Sequence, residues 1–369
     1  VPSSATSDVV VIGDGVAGLC CARALATRGF RVHLIGERQS GVATLASAGL
    51  LAPSLEPAPG AIGDFMLACR DSYPTFLEEL SESTGLPVSR TSSGILQVAL
   101  AQSEAQVLRD AAGENVAWLT PREIRSMEPA LGTALGGVLH QADGGVDPRA
   151  LVTALDSFLN GKIERTLGLV RRVDRSGHRV VCQVSTGAVV AGQHIVVAAG
   201  AWAGELPGLP RRLPVTPLRG QMAEYRGATL GRAVFGAGGY LVSRSADRIW
   251  VGTTAEDAGF ENRNTGEGLA HLEHVASRLL DRGAVRVRAW AGLRPMSPDG
   301  FPIVGPDPRD PRVLYACGHS RNGILLAPGT AGLLADFLSG QTSPLLSHFS
   351  VVRFAPTATG ERGESPVTG

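Results

Sequence analysis

No stretch of the 369-residue chain approaches the ~20 consecutive apolar residues of a membrane-spanning helix, so the chain is expected to work in water. Its N-terminus has no basic segment followed by an apolar one, the pattern of an export signal, and Val1 to Ser7 read as a short disordered leader. Neither sign of charge is in excess: Lys+Arg and Asp+Glu stand at 34 each. With no basic run to follow a phosphate backbone, nucleic acid is not an expected partner. Cysteines are few and odd in number (Cys20, Cys21, Cys69, Cys182 and Cys317), with no Cys-x-x-Cys spacing. That argues against a disulfide framework or a cysteine-held metal, and for reduced, buried thiols in the cytoplasm. His271 and His274 share a helical face, but their segment is polar and offers no third ligand. A solvated face and no metal are expected there. Repeats and low-complexity blocks are missing as well.

What is present is globular: 44% hydrophobic and 18% charged residues, in a chain too long for one simple core and suited to two domains. The apolar run Val9-Val10-Val11-Ile12 leads into Gly13-Asp14-Gly15-Val16-Ala17-Gly18, then a helical pattern, then a second apolar run closed by Glu37. This is the strand, glycine turn, helix, strand and acid of a dinucleotide-binding unit. Gly13 permits the tight turn, Gly15 lets backbone approach a pyrophosphate, and Gly18 lets helix and strand pack closely. The helix N-terminus offers free N–H groups and partial positive charge to phosphates. Glu37 follows at close to the ~20-residue interval at which an acid accepts hydrogen bonds from a ribose hydroxyl. The competing reading, a glycine-rich turn that binds nothing, lacks a reason for the acid and the flanking strands.

Further along, a small-residue loop spans Ser40 to Pro53 and contains Ala46-Ser47-Ala48-Gly49-Leu50-Leu51. Such a run lets backbone approach something flat or charged. Apolar positions at helical spacing predict a helix over Phe65 to Thr84, ended by Gly85 and Pro87. Short strands are predicted at Gly94 to Ala99 and Gly137 to His140, with helices around Ser103 to Ala111 and Pro121 to Met127. Asp147-Pro148-Arg149 starts another helix to Leu159. A hairpin follows at Gly168 to Val173 and Arg179 to Ser185, then a buried strand from His194. Strands and turns alternate from Leu213 to Gly252. A helix over Gly266 to Leu280 precedes a strand at Val285 to Trp290. The polar, Gly/Pro-rich end reads as a disordered tail, residues 356–369. The nucleotide-binding core is thus expected to be discontinuous, over 1–85, 145–212 and 288–355, with 86–144 and 213–287 forming a substrate-binding domain.

Only one Gly-x-Gly-x-x-Gly is present: Gly236-Ala237-Gly238 fails at Leu241. A single nucleotide site implies that the bound dinucleotide is itself the redox agent. Ala291-Gly292-Leu293-Arg294-Pro295, Asp299-Gly300, Pro302-Ile303-Val304-Gly305 and Gly318-His319-Ser320-Arg321-Asn322-Gly323-Ile324-Leu325-Leu326-Ala327-Pro328 resemble the C-terminal signature of the FAD-dependent D-amino-acid oxidase family. The likeness runs over nearly the whole chain and is strongest to the glycine-oxidase branch of thiamine biosynthesis. It implies an α/β, two-domain architecture: a glutathione-reductase-like, Rossmann FAD-binding domain plus an antiparallel β-sheet substrate domain, assembled as a homotetramer.

By position, the resemblance puts Val16 and Ala17 at the pyrophosphate, and Glu37 and Arg38 at the adenosine ribose. It lines the flavin with Ala43, Thr44, Ala48, Gly49 and Leu50, and the adenine with Val170. His319, Ser320, Arg321, Asn322, Gly323, Ile324 and Leu325 would wrap the isoalloxazine. Arg294 matches the arginine that binds the substrate carboxylate, and Arg321 and Tyr240 match two further substrate contacts. The chemistry agrees, because a guanidinium presents a planar fork that pairs with a carboxylate through two parallel hydrogen bonds. Plainer readings exist for each: Arg294 in a salt bridge, with Asp299 as the candidate partner; Arg321 solvated; Tyr240 a simple strand residue. Trp202 and Trp290 read as core.

Amine oxidation on a flavin needs orientation and a dry site more than acid–base groups. The implied products are an imine, hydrolysed to a 2-oxo acid and ammonium, and hydrogen peroxide from oxygen. Related amine oxidases attach flavin through a cysteine; the matching position here is Gly292, and Cys317 lies elsewhere, so FAD is expected to be non-covalent. Near the substrate this chain departs from the family pattern at Gly238, Leu50 and Ala255, where bulkier residues or methionines are usual, so the preferred amine need not be glycine. A dehydrogenase of the same fold that uses another electron acceptor, and a non-catalytic flavin-binding protein, are the alternatives.

Overall fold

A computed structural model describes residues 7–112, 116–175, 177–281 and 283–354. The expected leader, except Ser7, and the expected tail lie outside the described residues. Ser7 itself opens the first strand, Ser7–Ile12.

Five strands run parallel in the order Glu164–Leu167, Val32–Gly36, Ser7–Ile12, Val189–Val197, Asp310–Cys317. Val9, Val10 and Val11 are wholly buried, as a parallel strand covered on both faces requires. Side chains alternate between two cores. Val9, Val11, Leu34, Val196 and Leu314 face the helices Val16–Thr27, Gly60–Thr84, Pro148–Leu159 and Gly323–Leu338. Val10, Ile12, Ile35, Ile195 and Val197 face the opposite layer. That layer holds the antiparallel hairpin Val170–Asp174 and Val180–Val184 and the turn of helix Gly200–Glu205. The hairpin takes the first half of Val189–Val197 and Asp310–Cys317 takes the second half.

A second sheet follows the order Val285–Met296, Thr216–Arg226, Arg248–Gly252, Gly239–Ser245, Ala233–Gly236, Ile95–Ala99, Gly136–His140, Trp118–Leu119. All its pairings are antiparallel except Ala233–Gly236 with Ile95–Ala99. Helix Gly266–Leu279 covers one face through Leu272, Val275 and Leu279. The other face turns Met222, Phe235, Tyr240, Trp250 and Trp290 toward Ala48 and Leu50 of the first unit. The fold is therefore mixed α/β: a Rossmann-like parallel sheet beside a largely antiparallel one.

Several local expectations shift. The small-residue loop holds a short helix, Ala43–Ala46, and a two-residue strand, Leu50–Leu51. The long helix starts at Gly60, five residues before its apolar pattern becomes regular, and Gly85 closes it with φ 70. The strand predicted to stop at Trp290 continues to Met296, paired throughout with Thr216–Arg226. A boundary at 288 cuts this continuous strand, so we place the return to the first sheet after Met296. His274 is exposed as expected, but His271 is half-buried beneath Gly238 and its Nε2 has no partner among the described residues. Among those residues no helix is long and apolar enough to cross a membrane, and no group of three or more His, Cys, Asp or Glu side chains is placed to hold a metal.

Candidate active site

The glycine turn is built by contact. Gly13 has φ 109, and a Cβ there would lie 2.3 Å from the Ala198 carbonyl oxygen. A Cβ on Gly18 would lie 1.8 Å from the Gly13 carbonyl oxygen. Helix Val16–Thr27 consequently begins directly above the strand end. Gly15, at its N-cap, provides no side-chain cap; the Val16 N–H donates to Thr44 Oγ1 at 3.1 Å. The turn opens onto a cavity of about 840 Å³ that reaches from Glu37 and Val170, past the glycines, to the face of the second sheet.

At its far end the cavity meets the start of helix Gly323–Leu338, whose N-cap Asn322 again makes no side-chain cap bond. Two helix N-termini, neither closed by its own N-cap side chain, thus face one elongated cavity, and each favours negative charge. Gly318 and Ser320 turn the preceding loop with φ 68 and 53. The Ser320 N–H donates to the Pro295 carbonyl at 2.9 Å, and the Leu293 N–H to the Gly41 carbonyl at 2.9 Å. The strand carrying Arg294 is stitched in this way to loops on both sides of the cavity.

Most expected residues line this space: Gly13, Gly15, Val16, Ala17, Glu37, Ala43, Thr44, Ala48, Gly49, Leu50 and Val170, then His319 through Ile324, with Tyr240 and Arg294 on the second sheet. Three do not. Gly18 is consumed by packing against Gly13. Leu325 is wholly buried in the helical core one residue below the cavity. Arg38 turns away because carboxylates hold it: its Nη2 donates to Asp156 Oδ2 at 2.7 Å, and its Nε lies 3.6 Å from Asp14 Oδ2. Trp202, expected in the core, lines the cavity instead and stacks on Phe260 at 5.8 Å. Trp290 is a packing residue, edge-on to Trp250 at 5.0 Å, with its indole N–H on the Ala46 carbonyl. Met222, Phe235, Thr253 and Thr254 complete the wall and had no sequence signal.

Arg294 is half-buried. Its Nη1 donates to the Thr254 carbonyl at 3.1 Å and its Nη2 to Thr253 Oγ1 at 2.8 Å. Gly220 leaves the space the guanidinium fills, since a Cβ there would lie 2.5 Å from Nη2. No carboxylate among the described residues comes within ion-pair distance. Asp299, the candidate partner, is taken by Arg353 at 2.7 Å. Burial, with the neighbouring Arg321 charge, pulls the Arg294 pKa down, against Tyr240 and Glu56. Arg321 itself is 60% exposed at the cavity rim, 2.8 Å from Glu56. The Tyr240 hydroxyl donates to Met222 Sδ at 3.2 Å, and burial pushes its pKa up.

His319 is 3% exposed, with Nε2 3.0 Å from Thr330 Oγ1. Burial pushes its pKa down from 6.5 to about 4, so it is neutral at pH 7. The unfolded chain takes up this proton below pH 6.5, whereas the folded chain resists until about pH 4. Stability should therefore fall as pH drops through that window. The expected loss at pH 4 is about 3 kcal/mol, and His319→Asn should flatten that part of the slope in urea titrations at pH 7 and pH 4. An unchanged slope would mean that other groups carry it.

A buried glycine grip at one end, two helix N-termini along the length and a confined cavity before a cationic fork define a dinucleotide-dependent redox site. Residues 8–337 match the family of FAD dependent oxidoreductases, and the chain belongs to it. Its cofactor is FAD, and the side-chain-free turn at Gly13 with the N-terminus of Val16–Thr27 at the cavity wall fits the pyrophosphate of that group. Among relatives, the chain is 37% identical over 366 residues to the bifunctional protein ThiO/ThiG of Nostoc sp. PCC 7120, covering 94% of this chain and 55% of that protein. The chain thus spans about half the length of such bifunctional relatives. It is 35% identical to the glycine oxidase of Pseudomonas aeruginosa, over 90% of this chain and 95% of that one. The crystal structure of glycine oxidase from Geobacillus kaustophilus superposes with a TM-score of 0.87 at 30% identity, over 95% and 99% of the two chains.

Proposed function

We propose that this chain is an amino-acid oxidase that deaminates glycine or another small amine or D-amino acid. The observation that carries this reading is Arg294: a half-buried fork with no carboxylate partner among the described residues, facing the cavity that the glycine turn opens onto. A cation in that setting calls for an anion from outside, and a substrate carboxylate supplies one in bidentate geometry. FAD, when bound, accepts two electrons from the amine and passes them to oxygen. The chain's own residues orient and enclose. Arg294 would anchor the carboxylate, the Tyr240 hydroxyl would donate a hydrogen bond to it, and Trp202, Met222 and Phe235 would give the cavity apolar walls. Fixing the carboxylate fixes the Cα–H bond of a small amino acid, which is the orientation that hydride loss requires. The amine loses a hydride and a proton to become an imine. Water then converts the imine to a 2-oxo acid and ammonium, and oxygen becomes hydrogen peroxide.

The rest of the reading follows from the same elements. Gly292 stands where related enzymes carry an attachment cysteine, with no room beside it: a Cβ would lie 2.4 Å from the Ala46 Cβ. Burial pushes the Cys317 thiol up to about 12, which leaves it unreactive. FAD is therefore non-covalent. Gly238, Leu50 and Ala255 all border the cavity, so amines larger than glycine fit this reading. The likeness to ThiO supports a role in making the thiamine thiazole, as a cytoplasmic homotetramer. Five free, buried cysteines accord with a reducing compartment.

The test mixes FAD-loaded protein anaerobically with glycine, sarcosine and D-alanine and follows the flavin absorbance. Bleaching by at least one amine, followed by peroxide on admitting air, is the expected result. Bleaching without peroxide would identify a dehydrogenase, and no bleaching would leave only a flavin-binding protein.

A further inference from the structure

The fork of Arg294 is not free to rotate, because the segment 253–254 holds both of its terminal nitrogens. Thr253 Oγ1 accepts one N–H and lies 3.1 Å from the Gln221 carbonyl, to which its own hydroxyl donates. Gln221 is wholly buried, and every polar group on its side chain is used. Its Nε2 donates to Glu256 Oε1 at 2.7 Å and Thr265 Oγ1 at 2.9 Å. Its Oε1 accepts from Asn264 Nδ2 at 3.1 Å and the Thr265 N–H at 2.9 Å. Its own N–H donates to Thr254 Oγ1 at 2.9 Å. Behind it, Arg219 Nε donates to Glu256 Oε2 at 3.0 Å, and Arg219 and Glu256 exchange backbone hydrogen bonds. A satisfied buried network of this kind is rigid, whereas an arginine on a flexible stem is not.

We propose that Thr253 is a positioning residue for substrate recognition, its hydroxyl setting the plane of the Arg294 fork, with Gln221 as the fixed anchor behind it. The inference rests on the reading that Arg294 binds the substrate carboxylate. Two of the five guanidinium N–H groups go to Thr253 and Thr254, which leaves the remaining N–H groups to meet the carboxylate in one orientation. Thr253 also lines the cavity together with Arg294 and Tyr240, so its hydroxyl sits at the wall where the carboxylate would be held.

The experiment uses FAD-loaded full chain and the isosteric Thr253→Val, with Thr253→Ser as rescue and Arg294→Ala as control. Glycolate, a carboxylate without an amine, is titrated against the flavin spectrum, and the best amine from the panel gives KM and kcat. Losing one hydrogen bond to a charged group should raise the glycolate Kd and the KM about tenfold, while kcat stays within about twofold. Thr253→Ser should restore both constants to within about threefold. Where the valine variant fails to hold FAD, Thr253→Ala is read in the same way. Unchanged Kd and KM in Thr253→Val, or a serine variant as impaired as the valine, would overturn the positioning role. If Arg294→Ala binds glycolate like the parent chain, the carboxylate reading itself falls. If only the Thr253 variants are silent, that reading stands and this inference does not.

Discussion

Arg294→Ala should raise the Michaelis constant for the amino-acid substrate by two to three orders of magnitude while leaving the fold intact. Truncating one partner of a desolvated, hydrogen-bonded charge pair costs about 2–5 kcal/mol, which is roughly a 30- to 4,000-fold loss in binding. The same change should not weaken the free protein. Arg294 has no carboxylate among the described residues, and its N–H groups rest on the Thr254 carbonyl and Thr253 Oγ1. A half-buried cation without a counterion is a cost the fold carries for function, so its removal should hold or raise Tm. Arg294→Lys keeps the charge without the fork and should recover only part of the affinity. Steady-state kinetics and a melting curve on the same preparation decide the matter. An unchanged Michaelis constant removes Arg294 from the site. A large drop in Tm with the kinetic loss would make it a structural residue.

The contrast between Arg294, Arg38 and Arg321 shows which parts of the site could be read in advance. The glycine turn was legible because its mechanics are local: strand, turn and helix are contiguous, and the residues that forbid a side chain at Gly18 sit five positions away at Gly13. Arginine pairing is not local. The family likeness puts Arg38 with Glu37 at the ribose; in the fold its guanidinium donates to Asp156, 118 positions along the chain. Arg321 finds Glu56. Asp299, only five positions from Arg294, lies past the end of the strand, where the returning C-terminal segment offers Arg353. The cavity wall has the same character. Thr253, Met222 and Phe235 come from strands and their ends, whose inward face is decided by register, and register is set by pairings such as Met222 with Gly252. The C-terminal loop from Gly318 was legible only through its family likeness. Within that run a helix starting at Gly323 points its third residue, Leu325, into the core rather than the cavity.

Gly18→Val should yield a protein that cannot hold FAD. The parent turn leaves no space at this position, because the hypothetical Cβ falls 1.8 Å from the Gly13 carbonyl oxygen and 3.4 Å from the Ala198 Cβ. The obstacle is backbone, which cannot rotate aside as a long side chain would. Helix Val16–Thr27 must therefore lift from the strand or the Gly13 turn must open. Either movement displaces the helix N-terminus that lines the cavity, and the Val16 N–H would lose its hydrogen bond to Thr44 Oγ1. Overpacking of this kind costs about 1–3 kcal/mol or more in stability, and misplacing the phosphate seat should weaken FAD binding by at least roughly a hundredfold. The variant should purify colourless, bind added FAD weakly by fluorescence quenching, and melt below the parent. Helix Val16–Thr27 packs on helices Pro148–Leu159 and Gly323–Leu338 through the same core, so the destabilisation should spread to the loop at His319. A yellow Gly18→Val protein with parental FAD content would show that the helix can shift without loss of the grip, and the contact reading of the turn would have to be abandoned.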